Sequence, residues 1–173
     1  MPFPTGGLTE HRQNIADNTE CFTQDKERAI ANWSEHCWKY VKENTTDLTK
    51  KNAIVILKEM AELVWEAQGG VPLFQFEAPT GLPMSWNRPQ DGELNYIRYE
   101  IGHVHPQLEG GVSNPENLTF QSARCNQHIQ SSLDIDEVLV YFTSVDVVNE
   151  RMANLAELHN SEHWAALKGM LGL

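Results

Sequence analysis

Tyr99-Glu100-Ile101-Gly102-His103-Val104-His105-Pro106 begins the most informative part of the chain. Gly110-Gly111, Asn114-Pro115-Glu116-Asn117-Leu118 and Arg124-Cys125-Asn126-Gln127-His128 follow it. Glu93 to Glu100 is rich in aromatic and apolar residues, and Leu94 to Ile101 reads as a short strand. The Gly-Gly and Asn-Pro pairs mark a loop, and Gln121 to Ser132 reads as a helix. A histidine at a strand end, a glycine loop, a polar Asn and a helix carrying a second Asn can converge on one small site. Cleaving a phosphodiester requires a base to take a proton from water, positive charge to offset the growing charge on phosphate, and a group that orients the base. A neutral imidazole anchored through its second nitrogen suits the first task near pH 7.

Outward from this centre, both flanks read as helical. Between Asp25 and Glu43, Ala29, Ile30, Trp33, Cys37, Trp38 and Tyr40 recur mostly at three- and four-residue steps. Asn44 to Asp47 breaks the pattern with capping residues. A second helix is expected from Thr49 to Gln68, striped by Ala53, Ile56, Leu57, Met60, Leu63, Val64 and Ala67 and stopped by Gly69-Gly70. These aromatic and Met positions read as core rather than as a ligand box. Val71 to Phe76 reads as a strand, and residues 1 to about 20 as a loose lead-in. Beyond the centre come an apolar run, Val138 to Phe142, an amphipathic helix near Val147 to Leu158, and a short helix near Glu162 to Leu171.

The chain of 173 residues carries 13 Lys+Arg against 24 Asp+Glu, a net charge of −11, with 40% hydrophobic residues. That is the balance of a folded protein, with a core large enough for one ordinary domain. It disfavours a histone-like or tail-driven binder that relies on many Lys/Arg–phosphate contacts, but does not exclude an enzyme whose local positive charge comes from a bound cation. No basic start followed by an apolar core suggests a secretory leader, and no apolar run approaches a membrane span. Cys21, Cys37 and Cys125 are three, widely spaced, and form no CxxC pair, so neither a disulfide framework nor structural zinc is expected. A cytoplasmic protein without membrane attachment is the resulting expectation.

The segment from Glu100 to Ser132 resembles the HNH endonuclease signature, the ββα-metal fold. The resemblance rests on His103-Val104-x-Pro106, the Gly-Gly loop, Asn117-Leu118 and Cys125-Asn126. Asn117 lies 14 residues after His103, and Asn126 lies nine after Asn117, the spacing of the His-Asn-Asn type. About 33 residues are covered. The resemblance implies an α+β fold: a small ββα-metal centre, a two-stranded hairpin plus helix, flanked by N-terminal and C-terminal helices. Residues 1–70 would be a helical arm, 71–133 the core and 134–173 a helical tail, packed together as one unit.

It further implies a Mg²⁺- or Mn²⁺-dependent endonuclease acting on DNA, in all expectation double-stranded, of the phage, restriction, nicking or mobile-element kind. His103 would be the general base, and Asn117 would bridge the loop and orient the His backbone. Asn126 would be a metal ligand. The products would carry 5′-phosphate and 3′-hydroxyl ends. The family usually places an acidic residue or His directly before the base, and here that position is Gly102. Glu100, a hard oxygen donor on another strand step, is the first substitute; His105 and His128 are others. Arg98 and Arg124, with Arg88, are candidate phosphate contacts, and His128 is placed with them as a nucleic-acid contact. His159 and His163 stand four apart on a helix, but without HExxH context they read as structural. A homodimer would let two sites cut both strands. Two rival readings are an HNH-like nucleic-acid-binding module without catalysis, and an acidic protein-interaction factor or inhibitor.

Overall fold

The structure is a computed structural model and describes residues 19–73, 99–122, 126, 134, 135, 137 and 145–173. Among the described residues it is α+β, with four helices and one antiparallel hairpin. In chain order these are α1 (Thr19–Asn44), α2 (Lys50–Ala67), β1 (Tyr99–His103), β2 (Leu118–Ser122), α3 (Val145–His159) and α4 (Glu162–Leu171). A single 3₁₀ turn, Gln107–Glu109, lies between the strands. Residues 1–18, the strand positions 74–76 and 94–98, the run Val138 to Phe142, and Arg88, Arg98, Arg124, Cys125 and His128 lie outside the described residues.

The expectations for α2, α3 and α4 fall within two residues of the observed bounds, whereas α1 begins at Thr19, six residues before the expected Asp25. The Thr49 side chain accepts from the Asn52 N–H and starts α2, as a capping residue should. Ser161 does the same for α4 through the Trp164 N–H, and Gly172 ends that helix in the left-handed conformation. The strand expectations need correction. Val71 to Leu73 is irregular rather than extended in a sheet, and Gln121, expected to begin a helix, belongs to β2. Leu118-Thr119-Phe120-Gln121 alternates apolar and polar, the period of a half-buried strand, and this outweighs the turn signals before it.

The hairpin pairs Tyr99 with Ser122, Ile101 with Phe120 and His103 with Leu118 on one face, and Glu100 with Gln121 and Gly102 with Thr119 on the other. The first face is the core face. Ile101, Leu118 and Phe120 enter one buried cluster with Trp33 and Val41 of α1, Leu57, Met60 and Trp65 of α2, Leu155 of α3, and Trp164 and Leu167 of α4. All the described elements therefore share one core. Trp65 packs on Tyr99 and Phe120, with ring centroids 4.8 and 5.3 Å apart, and the Trp33 indole donates to the Leu118 carbonyl at 3.1 Å.

The outer edge of β2 is closed by one side chain. Gln68, fully buried just past α2, accepts from the Phe120 N–H at 2.9 Å and donates to the Phe120 carbonyl at 2.8 Å. This carboxamide takes the place of a further strand, because the Phe120 N–H would otherwise lack an acceptor in a dry interior. Leu73 N–H adds a second donor to the same carbonyl, and Arg151 of α3 holds the Pro72 and Leu73 carbonyls. Among the described residues no helix is long and apolar enough to cross a membrane.

Candidate functional site

His103 ends β1, half-buried, with Nε2 3.0 Å from the Ser113 hydroxyl. Gln107 Nε2 donates to the same hydroxyl at 3.2 Å, so the imidazole is steadied from the loop that follows it. Burial lowers the His103 pKa below its ordinary 6.5, and the charge of His36 on α1 adds to the effect. The ring is therefore neutral at pH 7 and can accept a proton.

Asn117 holds that loop closed. Its Oδ1 accepts from the His105 N–H at 2.8 Å, and its Nδ2 donates to the carbonyls of His105 at 2.9 Å and Val112 at 2.8 Å. The Val104 N–H also donates to the Asn117 carbonyl. Three side-chain bonds fix the amide's orientation without ambiguity, since an exchange of O and N would break all of them. The loop can turn this tightly because Gly111 lies against the His105 carbonyl, where any Cβ would collide.

The C-terminal helix braces the same loop. Glu116, next to Asn117, accepts from Trp164 Nε1 at 3.1 Å and pairs with Lys168 at 2.6 Å. Burial alone would raise the Glu116 pKa, but the Lys168 and Trp164 hydrogen bonds outweigh it and the net shift is downward. The carboxylate thus stays ionised as a strut between α4 and the start of β2.

Glu100 and Asn126 meet on the other face of the hairpin, where Asn126 Nδ2 donates to Glu100 Oε2 at 3.2 Å. Glu100 is two residues before Gly102, so strand alternation puts both on that face. A carboxylate beside a carboxamide offers hard oxygen donors, which fits Mg²⁺ or Mn²⁺ rather than zinc. On this same face a fully buried amide oxygen, Gln121 Oε1, has no hydrogen-bond partner among the described residues. Among the described residues no group of three or more His, Cys, Asp or Glu could hold a metal ion; the donors in contact here are one carboxylate and one amide, with Gln121 on the same face.

His105 sits apart from this pair in its bonding. Its Nδ1 contacts Asp134 Oδ1 at 2.8 Å and its Nε2 contacts the Glu109 carbonyl at 3.0 Å. The Asp134 hydrogen bond raises its pKa. Both nitrogens are engaged, so the ring acts as a strut across the loop. The His159 ring lies against Trp164, tilted by 44°, while His163 pairs with Glu59, so the two are engaged with different partners.

Sequence reasoning did not single out Ser113, Gln107, His36 or Gln121. The alternation from Leu118 to Gln121 carried the signal for the last of these. No protein-family model, curated protein or solved structure matches the chain.

Proposed function

We propose that the chain is a metal-dependent endonuclease that hydrolyses DNA phosphodiester bonds with His103 as general base. The observation that carries this reading is the Asn117 clamp: three hydrogen bonds on the loop that follows His103, made by the Asn that HNH-like spacing singles out. The contact between Glu100 and Asn126 supports it from the opposite face.

The neutral His103 imidazole takes the proton from the attacking water, and Ser113 and Asn117 hold the ring and its backbone in place. Glu100 and Asn126 would hold a divalent cation, which supplies charge to offset that gathering on the phosphate and its leaving 3′-oxygen. In-line displacement sets the attacking and leaving oxygens on opposite sides of phosphorus. The base and the oxygen donors project from opposite faces of one strand end, three residues or about 10 Å apart by strand rise. Duplex DNA is the substrate this reading takes, with 5′-phosphate and 3′-hydroxyl products, and the acidic surface leaves non-specific binding weak and salt-sensitive.

Gly102 favours a second reading, a nucleic-acid-binding module without catalysis, because glycine brings no side chain where an acidic ligand would stand. Plasmid cleavage in Mg²⁺, Mn²⁺ or EDTA, with His103→Ala beside the wild type, separates the two. Nicking or cutting that requires metal and His103 supports the nuclease. Absence of cleavage on DNA and RNA alike leaves the binding module.

A further inference from the structure

Gly102 is not an empty position. The space its Cβ would enter is filled by the carboxamide of Gln121, reaching over from β2, and any side chain at 102 would collide with it. Gln121 has no solvent exposure.

The orientation of that amide follows from its neighbours. Thr119 Oγ1 donates its one proton to the Gly102 carbonyl at 3.2 Å, so it must accept from Gln121, and the group facing it at 3.2 Å is Nε2. Oε1 is thereby turned away from Thr119, buried and without a partner. A buried oxygen left so costs about 1–3 kcal/mol, and apolar residues of the same size would avoid that cost. Gln121 is also the direct cross-strand partner of Glu100, whose carboxylate Asn126 reaches. Cross-strand partners on one face stand with Cβ atoms about 5 Å apart.

We propose that Gln121 supplies, from the second strand, the oxygen donor that Gly102 lacks. With Glu100 and Asn126 it forms a cradle for a hard divalent cation, Mg²⁺ or Mn²⁺. The inference rests on the nuclease reading of this face and adds a residue and a strand to it. The substitution of a neutral amide for a carboxylate leaves the cradle one formal charge, which weakens cation affinity relative to a two-carboxylate site.

The test is Mn²⁺ binding to the full chain without DNA, read as loss of the free Mn²⁺ signal in electron paramagnetic resonance, with thermal melting to verify folding. Gln121→Glu adds a charge at unchanged size and is expected to tighten binding at least tenfold. Gln121→Met fills the same space without an oxygen donor and is expected to weaken it at least tenfold. Glu100→Gln serves as the reference for the face itself. Binding that falls on Glu100→Gln but is unchanged in both Gln121 variants overturns the role of Gln121 and leaves the cation site standing. If the Met variant does not fold, the Glu variant decides alone, and unchanged affinity there overturns the proposal. A wild-type chain that binds no Mn²⁺ overturns both the proposal and the cation site on which it rests.

Discussion

Asn117 and His105 are joined twice, by Oδ1 accepting from the His105 N–H and by Nδ2 donating to the His105 carbonyl. A two-point pairing between a side-chain amide and one residue's backbone acts as a piece of sheet ladder, and it fixes the strand end that carries His103. Asn117→Asp keeps the acceptor but sets a carboxylate against the His105 and Val112 carbonyls. It is expected to destabilise the fold by about 1–3 kcal/mol. Cleavage should fall about 100-fold, because displacement of a catalytic group by an ångström has that effect. Urea unfolding and plasmid nicking rates on the same preparations check both; wild-type nicking in the Asp variant would remove Asn117 from the positioning role.

On the proposed nuclease reading, a neutral, half-buried His103 would set the acid limb of activity. Its pKa lies below 6.5, first through burial and then through the His36 charge, so on the nuclease reading the midpoint of the acid limb lies below that of an ordinary histidine. His36→Gln removes the second cause and is expected to move the acid limb upward, toward but not past 6.5. His103→Ala should lower the rate by about 10²–10⁴-fold across the profile. The measurement is kcat/KM against pH from 4.5 to 8 for the three proteins. The same shift has a stability consequence. The unfolded chain takes up protons near 6.5 where folded His103 resists them, so this group's contribution falls as pH drops below that value.

Ser113 tests whether the loop, as well as the strand, orients the imidazole. Ser113→Ala removes the partner of Nε2 and leaves Gln107 Nε2 without its acceptor there. Loss of a partner that orients the imidazole is expected to cost about 10–100-fold in activity, by analogy with the outer partners of metal-bound histidines. The expected loss is in kcat, with substrate affinity and melting temperature little changed. A loss confined to KM would instead assign Ser113 to DNA contact.

The helices and the His103–Asn117–Asn126 spacing were legible because both are local in sequence. Three- and four-residue apolar steps fix α1 to α4 whatever they pack against, and a motif is a count of positions. The face of the sheet was not legible. Gly102 reads as an absence until the register sets Gln121 beside it, and Gln121 itself followed loop residues that pointed to a helix start. His105 read as a spare ligand because its partner Asp134 is 29 residues away. Gln68 read as the end of a helix, while its bonds to Phe120 span 52 positions. Each of these pairings spans a long loop: the Leu118–Gln121 alternation marks a strand, but it does not say which residue that strand faces.

The Gly102–Gln121 contact makes a packing prediction independent of any metal. Gly102→Ala should destabilise by about 1–3 kcal/mol, the range for overpacking a well-filled interior. Combining it with Gln121→Ser removes the atoms in the way, so the double variant should be more stable than the sum of the single effects implies. A double-mutant cycle by denaturant unfolding gives the coupling directly. A coupling energy near zero would show that the two residues do not compete for that space.

Gln68 offers the sharpest test of what holds the hairpin to the helices. Gln68→Leu keeps the volume but deprives the buried Phe120 N–H of its acceptor, whereas the Phe120 carbonyl retains Leu73 as donor. The cost is that of one orphaned buried donor and the bonds lost with it, about 2–3 kcal/mol. Gln68→Glu keeps an acceptor for the N–H but, when ionised, sets a carboxylate against the Phe120 and Val71 carbonyls to which Nε2 donates. Protonation would turn that group into a donor again. The Glu variant should therefore be less stable than wild type at pH 7 and regain part of the difference at pH 5, while the Leu variant's deficit relative to wild type stays the same at both. Equal deficits for the two variants at both pH values would mean that Gln68 only fills volume and that β2 is held by the apolar cluster alone.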